Sequence, residues 1–216
     1  MRDYTRFDEY LNRLAEDIYP QPPDLAHTAW TVDFITWLKD TGQIHPGMSF
    51  LDIGCGQAIA RSAVSNILQC AWSGVTLGED WEEIKDISNT YQADMSFLPF
   101  EDSSFDIVYA RHALEHSPFP FPTLMEWHRV SKKWLALVMP APEFWGFRGK
   151  NHYSVMTLPH LYWALARSGW TPIAEQEFKQ NNSRWKEFNP EAEIDPRHPL
   201  PVEYRLLCMK GVPSQI

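Results

Sequence analysis

Apolar positions along this chain follow two rhythms. From Phe7 to Ile18 they recur at helical spacing (Phe7, Tyr10, Leu11, Leu14, Ile18) with charges between them. The stretch "YPQPPD" at 19–24 ends that helix, because proline cannot continue the backbone ladder. A second helix is predicted from Thr28 to Lys39, carrying Trp30, Phe34, Ile35, Trp37 and Leu38, with Gly42 as its C-terminal stop. From residue 48 the rhythm changes to short apolar runs alternating with helical ones. Strands are predicted at 48–55, 72–78, 91–95, 104–110 and 134–142, and helices at 59–69, 79–90 and 122–132. Such alternation indicates a parallel sheet covered by helices on both faces. The last third reads as a helix over 157–170, with Thr157 as N-cap and Gly169 as stop, then strands at 172–180 and 202–210. Between those strands, 181–201 is polar, proline-rich and without a period. It is read as a long loop, and loops of that length are usually functional or mobile.

Composition narrows the function classes. The 216 residues suffice for one domain with a full core and leave room for an extra lobe, and 44% hydrophobic with 22% charged residues is ordinary for a soluble globular chain. The net charge of -9 disfavours nucleic acid, whose binding draws on Lys and Arg, and gives no long-range attraction to anionic lipid. The one basic run, "RVSKKW" at 129–134, reads as the solvated end of a helix. Three cysteines (55, 70, 208) without a C-x-x-C argue against a disulfide framework or a thiolate zinc site. The N-terminus lacks the apolar core of a secretory signal, and no apolar run approaches the ~20 residues of a membrane span. A cytoplasmic protein without membrane insertion is the expectation. Ten Trp and an aromatic share of 14% fit either a Trp-rich core or an aromatic-lined pocket.

The densest chemistry lies in "LDIGCGQAIA" (51–60), where a strand meets a helix. Gly54 and Gly56 let the backbone turn tightly and approach a ligand closely, so a nucleotide-like cofactor is expected there. A dinucleotide fingerprint usually runs G-x-G-x-x-G, and Ile59 occupies its third glycine position, which disfavours a dehydrogenase.

An acid two residues before the first glycine, followed by G-x-G-x-Ala, is a different pattern. "GMSFLDIGCGQA" (47–58) resembles motif I of the class I methyltransferases that use S-adenosylmethionine. The resemblance continues in order along the chain. "YQADMSFLPFEDSSFDIVYARHALEH" (91–116) resembles that family's third-to-fourth-strand region, "EWHRVSK" (126–132) its E-x-x-R-V-L-K helix, and "HYSVMTLPHLYWALARSGW" (152–170) a common late element. It covers roughly 47–170 and is nearest to the broad small-molecule group called type 11. It implies an α/β, Rossmann-like, doubly wound seven-stranded sheet, mostly parallel with the last strand antiparallel. An N-terminal helical cap (1–45) would precede a methyltransferase core (46–216), with acceptor-lid segments near 143–156 and 181–201.

The resemblance also implies roles. Asp52, Gly54, Cys55, Gly56 and Ala58 would surround the amino acid half of S-adenosyl-L-methionine. Asp52 would orient its ammonium group directly or through water, and Cys55 would act through its backbone alone. The family usually ends its second strand in an acid that accepts both ribose hydroxyls; here Thr76 stands in that place, with one hydroxyl. Thr76 and Leu77 are expected near the ribose and adenine, with Glu79 as a possible acid. Asp94 and Met95 match the adenine-contacting pair. Arg111 either meets the methionine carboxylate or makes a structural ion pair. His116 is the first candidate for catalysis and His112, His152 and Tyr153 are others, since histidine titrates near neutrality; for each, a structural polar role is the alternative.

"HALEH" (112–116) also fits the H-x-x-E-H pattern of certain zinc peptidases. Such a site needs a helix of several turns plus a third ligand. The apolar strand before it and "SPFPFP" after it leave about one turn, so no metal is expected from this motif. The implied function is methyl transfer to a small-molecule, lipid-precursor or sugar acceptor. The alternative from another class is a catalytically silent methyltransferase-like binding module, which Thr76 favours.

Overall fold

Seven strands form one sheet in a computed structural model, which describes residues 25–78, 80–145, 151–180 and 200–212 together with Glu9 and Arg13, both helical. The rest of the first predicted helix, Glu79, residues 146–150 of the first lid segment and 181–199 of the second lie outside the described residues. The strands are β1 (Ser49–Ile53), β2 (Ala71–Thr76), β3 (Thr90–Gln92), β4 (Phe105–Arg111), β5 (Ser131–Pro140), β6 (Trp170–Gln180) and β7 (Leu200–Lys210). Their order is β3-β2-β1-β4-β5-β7-β6. β1 to β5 pair in parallel, and β7 runs antiparallel between β5 and β6. This is the predicted doubly wound sheet.

The helices are α1 (Leu25–Asp40), α2 (Ala60–Ala63), α3 (Asp80–Ile84), α4 (Pro120–Val130), α5 (Pro142–Trp145) and α6 (Leu158–Arg167). Apolar stripes on these helices cover the sheet from both sides. Leu124 and Trp127 of α4 and Leu161 and Leu165 of α6 join one core cluster with Val108 and Leu135. Phe34, Ile35 and Leu38 of α1 join the other, with Val64, Tyr109 and Trp134. β5 is buried from Trp134 to Pro140, as its continuous apolar run predicts. Among the described residues no helix is long and apolar enough to cross a membrane.

Several boundaries differ from the sequence reading, each for a local reason. α4 begins at Pro120 rather than 122, inside the stretch read as excluding a helix. Its two prolines fall in the first turn, where their missing N–H groups have no helical partner to lose. α3 ends at Ile84 because the chain must reach β2 by Asn89: Gly74 N donates to Asn89 O at 2.9 Å and opens the β2–β3 register. The α2 turn passes into a π-helical segment, Val64–Leu68, closed by Gln69 in the left-handed region (φ 57°). β5 starts at Ser131, so Lys132 and Lys133 are exposed strand residues and not a helix end. Lys132 pairs with Asp106 at 3.2 Å, and the Lys133 ammonium lies 4.5 Å from the Trp134 ring centre.

Candidate active site

Strand order reverses between β1 and β4, and ligands of open α/β sheets bind beyond the strand ends at such a point. There, β1 runs into Gly54-Cys55-Gly56. Gly54 N and Cys55 N both donate to Val75 O (2.9 and 3.0 Å), which folds the turn back over β2. Gly54 has φ +70°, and a Cβ on it would stand 2.8 Å from Cβ of Ala113, so this turn and the loop after β4 meet at a contact only glycine permits. The cleft so formed holds about 1020 Å³ including its open mouth, at the upper limit of small-molecule sites (roughly 300–1,000 Å³).

Asp52 lies on β1 at the cleft floor, 3% exposed, and accepts a hydrogen bond from Trp72 Nε1 at 3.1 Å. Burial pushes its carboxyl up to about 7, against the Trp72 bond and the charge of Arg111. Trp72, which sequence reasoning did not single out, is the residue that holds the Asp52 carboxylate. Its one signal was the spacing W-x-G: the indole occupies the space over Gly74, where a Cβ would lie 2.4 Å from the ring. Gly74→Ala is therefore expected to displace the indole from Asp52 and destabilise the fold by about 1–3 kcal/mol, the usual cost of overpacking, read by chemical denaturation.

Thr76 closes β2 and lines the cleft with Leu77. An acid stands four residues after Thr76. Asp80, first residue of α3 and nearly buried, lines the same cleft, its Oδ2 3.6 Å from where a Cβ on Gly56 would stand. Glu79, the possible acid of the sequence analysis, lies outside the described residues. For Asp80 the helical start after Gly78 was the available signal, since it turns the first helical side chain back toward the glycine loop.

Met95 borders both lobes of the cleft and Asp94 the second; the Asp94 carboxylate accepts from Ser96 N at 2.7 Å and fixes that turn. Cys55 and Gly56 line the cleft, while Ala58, with φ 59°, belongs to the same turn but is not among the lining residues. Burial drives the Cys55 thiol far above its usual value, in keeping with a backbone role.

Of the two readings of Arg111, the structural ion pair is present. Its Nη2 donates to Glu203 Oε1 at 2.8 Å, a structural ion pair, while its Nε–H has no protein acceptor among the described residues. His112, with φ 51°, donates through Nε2 to the same oxygen at 2.8 Å. Glu203 Oε2 accepts from Arg205 Nε at 2.8 Å, and Arg205 reaches on to Asp33 of α1 at 2.6 Å. This buried network ties β7, α1 and the end of β4 together, and no local pattern in the chain announces it.

"HALEH" forms a single 3₁₀ turn, Leu114–His116, so its two histidines diverge. His112 faces Glu203, whereas His116 lines both lobes and donates through Nδ1 to Asn151 O at 3.2 Å. Burial, then the neighbouring His152, lowers His116 to about 4, so its imidazole is neutral at pH 7. The His152 ring lies edge-on to it at 4.9 Å, and Tyr153, 41% exposed, borders the second lobe.

Solved structures share this fold. A S-adenosylmethionine-dependent methyltransferase from Archaeoglobus fulgidus superposes with TM-score 0.64 at 17% identity, over 83% of this chain and 94% of that one. Magnesium protoporphyrin IX methyltransferase from Synechocystis PCC 6803, solved with bound S-adenosylhomocysteine, superposes with TM-score 0.59 at 14% identity, over 97% and 98%. The likeness to both is one of fold. Residues 51–137 of this chain match the type 11 model of the methyltransferase domain. Cycloartenol-C-24-methyltransferase 1 of Oryza sativa subsp. japonica is 33% identical over 99 residues, 41% of this chain and 29% of that protein. The chain thus spans less than a third of that relative's length.

Proposed function

We propose that this chain transfers a methyl group from S-adenosylmethionine to a small-molecule acceptor. The observation that carries the reading is the pair of buried carboxylates, Asp52 and Asp80, facing one glycine turn in one cleft. The residues suit the cofactor. Asp52, whose burial is opposed only by Trp72 and the charge of Arg111 among the described residues, matches an ammonium group. The Nε–H of Arg111 adds a donor suited to a carboxylate. Asp80 offers two acceptor oxygens for ribose hydroxyls, and Leu77 and Met95 offer apolar surface for a ring. When bound, the cofactor supplies a methyl group already activated on a sulfonium. The chain's part is to bind, to align the acceptor and to exclude water. With its low proton affinity, neutral His116 serves to orient an acceptor more than to hold its proton.

For the acceptor, the sterol methyltransferase relatives support a lipid-precursor class, and the second lobe, bordered by Met95, Pro118 and Tyr153, supplies apolar surface for it. A binding module without turnover is the second reading. Thr76 favours it, and Asp80 weakens that support.

Calorimetric titration of S-adenosylmethionine and its demethylated product tests the proposal. Saturable binding near one to one is expected; no binding at millimolar ligand overturns it. Binding without turnover of any acceptor screened would favour the second reading. Asp80→Asn is expected to weaken cofactor binding about tenfold, the loss of one charge-assisted hydrogen bond, whereas Thr76→Val changes it less than about threefold.

A further inference from the structure

We propose that Glu115, His116 and His152 form a site for one divalent transition-metal ion on the acceptor side of the cleft. Each offers one ligand atom, and the three atoms lie within 4.8 Å of one another. Around an ion with bonds of about 2.1 Å, tetrahedral ligands stand about 3.4 Å apart, so side-chain rotations of about an ångström close the site. Two imidazoles and a carboxylate suit zinc or ferrous iron.

A second observation points to a cation. Glu115 is 0% exposed, and neither carboxylate oxygen accepts a hydrogen bond among the described residues. His112 Nδ1 stands 3.6 Å from Glu115 Oε1, too long for a hydrogen bond, and His112 already gives Nε2 to Glu203. A buried carboxylate without donors is costly, and a bound cation removes that cost.

The supporting contacts fit ligation. His116 gives its Nδ1–H to the Asn151 carbonyl, the usual outer-sphere arrangement of a metal-bound histidine. Tyr153 N and Ser154 N donate to the Glu115 carbonyl at 2.7 and 2.9 Å, pinning the chain beside His152 to the residue it must join. His116 borders both lobes, so an ion here presents its open position to the cleft. There it would hold an acceptor oxygen and ease loss of its proton to solvent. That use of the ion rests on the methyl-transfer reading; its binding does not.

The test uses the full chain, stripped with a chelator and titrated with Zn²⁺ by calorimetry and with Co²⁺ by visible absorption. One ion per chain is expected, with Co²⁺ ligand-field bands. His152→Ala and Glu115→Gln are each expected to weaken Zn²⁺ binding by about 100-fold or more. S-adenosylmethionine is titrated into the same samples, and its affinity should change less than about threefold. No binding of either metal at millimolar concentration, or binding undiminished in both variants, overturns the site. If Glu115→Gln fails to fold, half-buried His152→Ala decides alone. Metal binding without cofactor binding would uphold the site and overturn the cofactor reading instead.

Discussion

Glu203→Ala is expected to destabilise the protein by about 3–5 kcal/mol at pH 7, the range for removing one partner of a buried ion pair. For a chain of this size that lowers Tm by roughly 10 °C. The reason is the number of groups left behind. Glu203 is 1% exposed and compensates Arg111 and His112 through one oxygen and fully buried Arg205 through the other. Arg205 keeps Asp33, half exposed on α1, and the Phe178 ring 3.6 Å beneath its guanidinium, while Arg111 loses its only ion-pair partner among the described residues. Glu203→Gln keeps the shape and one acceptor, and should lose nearly as much because the charge is gone. Burial pushes the Glu203 carboxyl upward, but the hydrogen bond and charge of His112, then Arg111 and Arg205, outweigh it and hold the group far below its ordinary value. A depressed carboxyl contributes stability that is present in full above its unfolded value near 4.5 and is lost as pH falls toward the folded one. The gap between wild type and variant in urea unfolding should therefore be constant from pH 5 to 8 and narrow below pH 4.5. A gap that is small at pH 7, or that grows on acidification, would show that the network does not act as a unit. Since Arg111 and His112 line the cleft, cofactor affinity should fall as well.

That network shows where reading the chain stops. The sheet and its order of elements were legible because local signals agree: apolar runs for β1, β4 and β5, periodic stripes for α1 and α6, and glycines at the turns that need positive φ. That the glycine turn, Asp52, Thr76, Leu77 and Met95 line one cleft was legible because each lies at or just past the C-terminal end of a parallel strand. Glu203 lies 92 positions from Arg111 and came into contact with it only when β7 inserted between β5 and β6. Nothing near Glu203 in "PVEYRLL" separates a buried ion pair from a solvated strand charge. Asp80 fails for a subtler reason, since an acid in a first helical turn has a sufficient local explanation in the helix dipole. The Glu115–His116–His152 cluster joins a loop after β4 to a segment 36 residues later, so no local spacing marks it.

Asp52 is expected to make cofactor binding pH-dependent and to release a proton on binding. In the free protein burial raises its carboxyl to about 7, with Trp72 and then Arg111 opposing. A raised carboxyl contributes stability that is present in full below its unfolded value of 3.8 and is lost as pH rises through about 7. The free protein therefore carries an ill-compensated buried charge above pH 7, and a cationic ligand beside Asp52 supplies the compensation. Binding selects the ionised form, so the dissociation constant should fall about tenfold per pH unit up to pH 7 and level off above it. Calorimetry at pH 6 in two buffers of different ionisation enthalpy should count close to one proton released, and at pH 8.5 close to none. Asp52→Asn should weaken binding about 100-fold at pH 8, the worth of a buried charge-assisted contact, and flatten the profile, so that the two proteins converge near pH 5. The same substitution should leave the free protein at pH 8 as stable as wild type or more so, because it removes a buried charge at a position where stability is given up for binding. A pH-independent affinity with no proton exchange would sink this account of Asp52. A variant that lost affinity and stability together would make it a structural carboxylate whose contribution to binding is indirect.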